Sequence, residues 1–481
     1  MSRSKFVLTA IAASLLLAGC SSVGPDYQRP GLETPTTLGT ISAQSKIATR
    51  VDLLSWWKSF QDPVLNSLLD EADANNQDLI LAAARIEEAR ATATGAHSSR
   101  FPVVDATLGG AKTRTSDNAG KLSAGANPIG KDFQLGLNAS YEVDFWGKLA
   151  RADEAARARL FAQEANRGLV KSSLYSTLAQ NYFALRAYDA QLTLADSALL
   201  TRQENLRLQQ KRFSAGSVGE LDLHVADSEA AAAEISVAQA RQALSNTESA
   251  MAVLLGRSPN AIVTPVVVRG NSIDTLYQQL SLPMDLPSDL LNRRPDIISA
   301  EQVLVAANAD VGQAKALYFP SVKLTTGIGY ESRVFQDLLN PASLLWNMGA
   351  SLVQPVFRAG AIGAVVSGAE ARKNQALAQY VQTVQGAFRD VHDAMNNTKA
   401  NEQIFQASNR RVIALKDSLR LADLRYRNGY SSYLEVLSAQ RDLLQAESGL
   451  IDTKRAHLSA VVSIYKALGG GWDNPSSLAV K

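Results

Sequence analysis

Cysteine is almost missing from this 481-residue chain. Cys20 stands alone, so no disulfide staples the fold. Beyond the first twenty residues no run reaches 18 consecutive apolar positions, which excludes a helical membrane span from the rest. Neither charge sign dominates. There are 48 Lys and Arg against 46 Asp and Glu, and no basic stripe of the kind that binds nucleic acid. The four histidines, His97, His224, His392 and His457, are scattered without metal-ligand spacing. No Met-rich or His-rich tract appears, and no nucleophile sits with a base, so neither a metal centre nor an enzyme is expected. Gly125 to Asp132 approaches a phosphate loop, but Asp132 replaces the required Ser or Thr and a strand follows.

What the chain does have begins at its N-terminus. Arg3 and Lys5 precede an apolar run from Phe6 to Ala18, followed by Leu17-Ala18-Gly19-Cys20. A basic start, a short apolar core and small residues before a cut site describe a secretory signal over residues 1–19. Leu-Ala-Gly-Cys is also the lipobox pattern, in which the Cys20 thiol takes a diacylglycerol and the freed amine takes a further acyl chain. Two or three acyl chains anchor durably where one is marginal. Ser21 after the cysteine, rather than Asp, argues against retention at the inner membrane. Once Arg3 and Lys5 leave with the signal, 46 basic residues balance 46 acidic ones.

The mature chain reads as two copies of one plan, a pattern to be sought before any fold is assigned. Phe101-Pro102 and Phe319-Pro320 lie 218 residues apart, each after an Ala-rich helical run. Arg212-Phe213-Ser214-Ala215-Gly216 matches Arg425-Tyr426-Arg427-Asn428-Gly429 at an offset of 213. Leu254-Leu255-Gly256 and Ala467-Leu468-Gly469 close the copies alike. The expected organisation is an extended N-terminal segment (20–62), a first repeat (63–256) and a Pro-rich linker (257–287) with a short strand. A second repeat (288–469) and a loose tail (470–481) follow.

Each repeat reads helix, two strands, long helix, turn, helix. Period-two alternation marks hairpins at about 103–144 and 321–354, clearest in Phe133 to Asp144 and in Val322 to Glu331. Between Gly147 and Phe213 there is no proline and one interior glycine, Gly168. Roughly 65 helical residues at 1.5 Å each would span about 100 Å, the length of a coiled coil or helical tube. Four strands of about ten residues fit a tilted membrane crossing. They cannot close a barrel alone, since bacterial barrels start at eight strands, and an open edge in lipid is not viable. Either the strands are soluble or several chains pool them, eight from two copies or twelve from three.

Three long motifs carry a resemblance. Ser55-Trp56-Trp57-Lys58-Ser59-Phe60-Gln61-Asp62-Pro63, Asp285 to Ile297 around Arg293-Arg294-Pro295-Asp296, and Tyr465 to Trp472 resemble TolC-type outer-membrane efflux lipoproteins, in particular their NodT-like branch. The resemblance runs the whole chain in order. It implies a mainly α fold with membrane β, a homotrimer whose twelve-stranded β-barrel continues into a long periplasmic α-helical barrel. It further implies a passive exit duct for drugs or other small molecules, anchored in outer-membrane lipid. A periplasmic membrane-fusion adaptor and an inner-membrane pump of the resistance-nodulation-division type would complete the system. No cofactor is implied beyond the acyl chains on Cys20. A lipoprotein that bridges envelope layers without its own pore is the alternative.

The resemblance also implies a periplasmic gate at the turn between the last two long helices, Tyr426 to Tyr430 and onward. Relatives carry an Asp at the position of Ser438, so the acidic ring they form is not inherited here. Glu435, almost one turn earlier, would supply it, with Leu434 as an apolar constriction. Arg441 follows Ser438 by three and faces a similar way. Tyr426 and Asp222 would join interhelix contacts that hold the tip shut.

Overall fold

The computed structural model describes residues 22–33, 35, 37–40, 53–119, 127–278, 285–287 and 293–473. Cys20 and the signal, residues 288–292 of the second motif and the last residues of the tail lie outside the described residues. The order is β1 (Thr37–Thr40), a 3₁₀ turn (Leu53–Phe60), α1 (Pro63–Asn75), α2 (Gln77–Ser98), β2 (Val103–Arg114), β3 (Ile129–Val143), α3 (Lys148–Ser214) and α4 (Glu220–Leu254). Then come α5 (Pro259–Val263), α6 (Ile273–Gln278), β4 (Asp285–Pro287), α7 (Pro295–Ala316), β5 (Ser321–Ser332), β6 (Leu344–Val353), α8 (Ala361–Arg427) and α9 (Tyr433–Ala467). The expected plan of helix, two strands, long helix, turn, helix is present twice. Within the linker the structure forms α5 and α6, and β4 pairs antiparallel with β1.

The duplication is kept to the residue in the helices. α2 and α7 have 22 residues each, α3 and α8 have 67, and α4 and α9 have 35. The change of offset from 218 to 213 falls wholly in the hairpins, where surface turns tolerate length changes.

Two compact units form, and each draws on both repeats. The first holds Ile86–Ala162, Ala300–Tyr380 and the N-terminal strap up to Pro30. Its sheet has the order β2-β3-β5-β6, all antiparallel. The central seam joins the repeats, from Phe133 opposite Ser332 to Val143 opposite Val322. At its base Trp146 stacks on Phe319 at 4.6 Å and donates from Nε1 to the Pro320 carbonyl at 2.8 Å. The strap is fastened beside this corner. The Val23 amide donates to the Trp146 carbonyl at 3.0 Å, and Arg151 holds Asp26 at 2.6 Å. Tyr27 and Arg29 both donate to Glu301 further on.

The second unit, Gly31–Arg85, Gln163–Ser299 and Val381–Lys481, carries the main apolar core. The motifs that carried the resemblance build it. Trp56 stacks on Tyr465 at 5.4 Å, and Phe60 packs on Phe183 at 4.9 Å. Asp62 caps α1 by accepting from the Val64 amide at 2.9 Å, with Pro63 in the first turn where its missing N–H costs nothing. Its other oxygen accepts from the Tyr182 hydroxyl at 2.6 Å and the Asn271 amide at 3.0 Å, so the buried carboxylate is satisfied. Arg294 is likewise buried, shared among Asp296, Asp390 and the Ala467 carbonyl. Gly168 explains itself here: a Cβ at that position would sit 2.3 Å from the Trp472 ring.

Candidate functional site

Period-two alternation sorts the sheet into two unlike faces. Leu108, Leu135, Leu137, Tyr141, Leu324, Ile328, Trp346, Met348 and Leu352 share one face through their registered pairs. Asp105, Asn138, Gln134, Glu331, Lys323 and Asn347 share the other. Among the described residues nothing covers the apolar face: Leu108, Trp346 and Met348 are 74%, 74% and 79% exposed. An apolar surface this large is not stable against water. Strands of 10 to 15 residues have the length of tilted membrane-crossing strands. The edges β2 and β6 each have one side unpaired among the described residues. Backbone groups left open on those edges must find partners before the sheet can enter lipid.

The other candidate region is the pair of helical hairpin tips in the second unit. α3 turns into α4, and α8 turns into α9, through matching backbones. Gly216 and Gly429 adopt φ of +70° and +77°, a region that glycine enters without a Cβ clash. Ser217 donates back to the Arg212 carbonyl at 2.8 Å, and Tyr430 to the Arg425 carbonyl at 2.9 Å, the helix-ending pattern that glycine permits.

The residues named from sequence are distributed as follows. Tyr426 accepts at its hydroxyl from Arg212 at 2.6 Å, a tie between the two hairpins. Glu435 accepts from Arg425 at 2.8 Å across its own turn, so an arginine accompanies the carboxylate proposed for the ring. Leu434 and Ser438 are exposed, and so is Asp222 in the first turn of α4. Arg441 reaches across to Glu229.

Glu229 is the residue that sequence reasoning missed. It is buried on α4 between two guanidinium groups, Arg441 of α9 and Arg202 of α3, the latter at 3.7 Å. Arg202 also donates to Gln440 at 2.5 Å. Burial pushes the pKa of the neighbouring Tyr433 hydroxyl up, so it stays neutral. Removing one member of such a cluster leaves an uncompensated buried charge, so three helices are held together as a set. The signal for Glu229 was faint: one of two acids, with Asp227, among the alanines of Ala226 to Ala233.

Among the described residues no group of His, Cys, Asp and Glu has the arrangement of a metal site. No helix among the described residues is long and apolar enough to cross a membrane. The model of the family described as "Outer membrane efflux protein" matches residues 68–257 and 286–470. The cation efflux system protein CusC of Escherichia coli is 33% identical over 467 residues, covering 96% of this chain and 99% of that protein. The toluene efflux pump outer membrane protein TtgI of Pseudomonas putida is 34% identical, covering 97% and 99%. The crystal structure of the Campylobacter jejuni CmeC outer membrane channel superposes with a TM-score of 0.88 at 28% identity, over 96% of this chain and 98% of that one.

Proposed function

We infer the working assembly from one premise: this chain belongs to the outer membrane efflux protein family. It is an outer-membrane efflux channel and not an enzyme. The proposal is that three copies pool their strands into a twelve-stranded barrel, which supplies the partners that edges β2 and β6 lack. The uncovered apolar face with two open edges carries this reading. The internal seam offers a template for the seams between copies. Carrying the β3–β5 register over by the repeat offsets sets Leu352 of one copy opposite Leu108 of the next, apolar beside apolar. A slip by one residue would turn every leucine to the polar side.

Cys20 is proposed as the acylated anchor. Ser22, two residues on, packs against Gly147 between β3 and α3, which would set the lipid near the foot of the sheet. The duct would receive drugs or other small molecules from an inner-membrane pump through a periplasmic adaptor. One relative is named for cations and another for toluene, so choice of cargo is assigned to the pump. The hairpin tips are proposed as the periplasmic gate, closed by Arg212–Tyr426 and by the Glu229 cluster, with Glu435 and Leu434 at the constriction and Ser438 beside them.

Native mass spectrometry of protein extracted from its own envelope tests the assembly. Three chains, each beginning at Cys20 and carrying acyl mass, are expected, and a stable acylated monomer would overturn the pooled barrel. Leu108→Cys with Leu352→Cys is expected to yield covalently linked trimers on oxidation. Glu435→Ala with Arg441→Ala is expected to raise the ionic leak of the reconstituted channel, and unchanged conductance would remove both residues from the gate.

A further inference from the structure

The two hairpin tips place the same two groups at the same two positions and connect them differently. Arg212 and Arg425 are 213 residues apart, and so are Asp222 and Glu435. The turns between them share their glycine conformation and their closing hydrogen bonds. Both also open the next helix alike, with the Asp222 and Glu435 amides donating to the Gly219 and Ser432 carbonyls at 3.2 Å. In the second hairpin the arginine closes on its own acid, Arg425 on Glu435 at 2.8 Å. In the first hairpin the arginine leaves its own acid alone. Arg212 crosses to the Tyr426 hydroxyl instead, and Asp222 stays exposed.

We propose that Asp222 is the receiving carboxylate for Arg212 when the hairpins part, so that this arginine has one partner in the closed tip and another in the open one. The inference rests on the reading of the tips as a gate. Its geometric warrant is the sister hairpin, which shows that a guanidinium at this position reaches an acid ten residues on across a matching turn. Aspartate is one methylene shorter than glutamate, and the flexible arginine stem covers that difference. The chemistry favours a hand-over. A guanidinium freed from a phenol keeps a charge-assisted acceptor within reach, so opening does not strand it. A carboxylate is also a strong acceptor for a cation, so Asp222 stabilises the open state, where the Tyr426 hydroxyl no longer competes for the guanidinium. Arg425–Glu435 stays within one hairpin and so need not break when the hairpins separate.

Single-channel recording on the full-length reconstituted protein tests this, with native mass confirming that each variant assembles. Tyr426→Phe keeps the ring and deletes the acceptor, and it is expected to raise the open fraction about fivefold, the worth of one charge-assisted bond at a half-exposed site. Asp222→Asn is expected to shorten open dwell times by a similar factor while leaving closed dwells alone. Combined, the two changes should return the open fraction close to that of the unaltered protein, as should Arg212→Ala, which removes both contacts. A combined variant as open as Tyr426→Phe alone would overturn the hand-over and leave the gate standing. Tyr426→Phe without added opening would overturn the gate reading itself, and the hand-over with it.

Discussion

Trp146, at the foot of the first repeat's hairpin, lies against Phe319 and is pinned by a hydrogen bond from its indole. At the foot of the second, Val356 and Phe357 stand 94% and 85% exposed. The backbones around them descend from one ancestral segment, and both lead within a few residues into a 67-residue helix. The difference is one of supply. The first repeat finds a Phe-Pro corner within its own chain, at Phe319-Pro320. The second finds none within the described residues, and in the proposed trimer the exposed Phe101-Pro102 corner of a neighbouring copy would be the matching surface. On the proposed assembly, the contact inside one chain is the pattern for the contact between copies.

Exchanging residues between the repeats breaks that comparison where one repeat has specialised. Gly168 corresponds to Val381, and Gly168→Val drives a side chain into the Trp472 ring. It is expected to cost about 3 kcal/mol by overpacking, read as a lowered thermal midpoint. Trp146→Ala loses a stacked pair and the bond to Pro320, about 2 kcal/mol in the same measurement.

His457 corresponds to Leu244, and its ring is buried without a hydrogen bond at either nitrogen. Burial pushes its pKa below the ordinary 6.5, and Glu402, 3.4 Å away, opposes this only in part. The unfolded chain therefore takes up this proton first as the pH falls. Stability from this site is complete above 6.5 and is lost on descent toward the folded value. His457→Leu is expected to flatten the stability profile as the pH falls below 6.5. A profile as steep as before would show that other groups set it. The smallest effect is expected of Phe357→Ala. It should leave an isolated chain's midpoint unchanged and weaken assembly by about 1 kcal/mol per seam, read from trimer dissociation.

Much of this was legible before any coordinates. Alternation found the strands to within a few residues, because a sheet with unlike faces writes period two into its sequence. Absence of proline found the long helices, since nothing else interrupts them. The motif around Trp56 and Asp62 was recognisable as a signature, but its role as core and helix cap depends on Tyr465, Tyr182 and Asn271, far away along the chain. The tips were the least legible. Arg441 was expected to face the constriction with Ser438, and it reaches to Glu229 instead. Helical spacing gives the direction in which a side chain leaves its own helix. It is silent on which neighbouring helix offers the acceptor.

The equal lengths of the paired helices have a consequence for how such a chain can change. One added residue in α3 would advance its tip by about 1.5 Å and rotate it by about 100°. Arg212 would then point away from Tyr426, and Arg202 away from Gln440. Only a matched insertion in α8 could restore the alignment, and two such events rarely coincide. The helices are therefore free to drift by substitution but locked in length, like two legs of a ladder that must be cut together. Gains and losses of residues are left to the hairpins, the one place where the two repeats have parted by five.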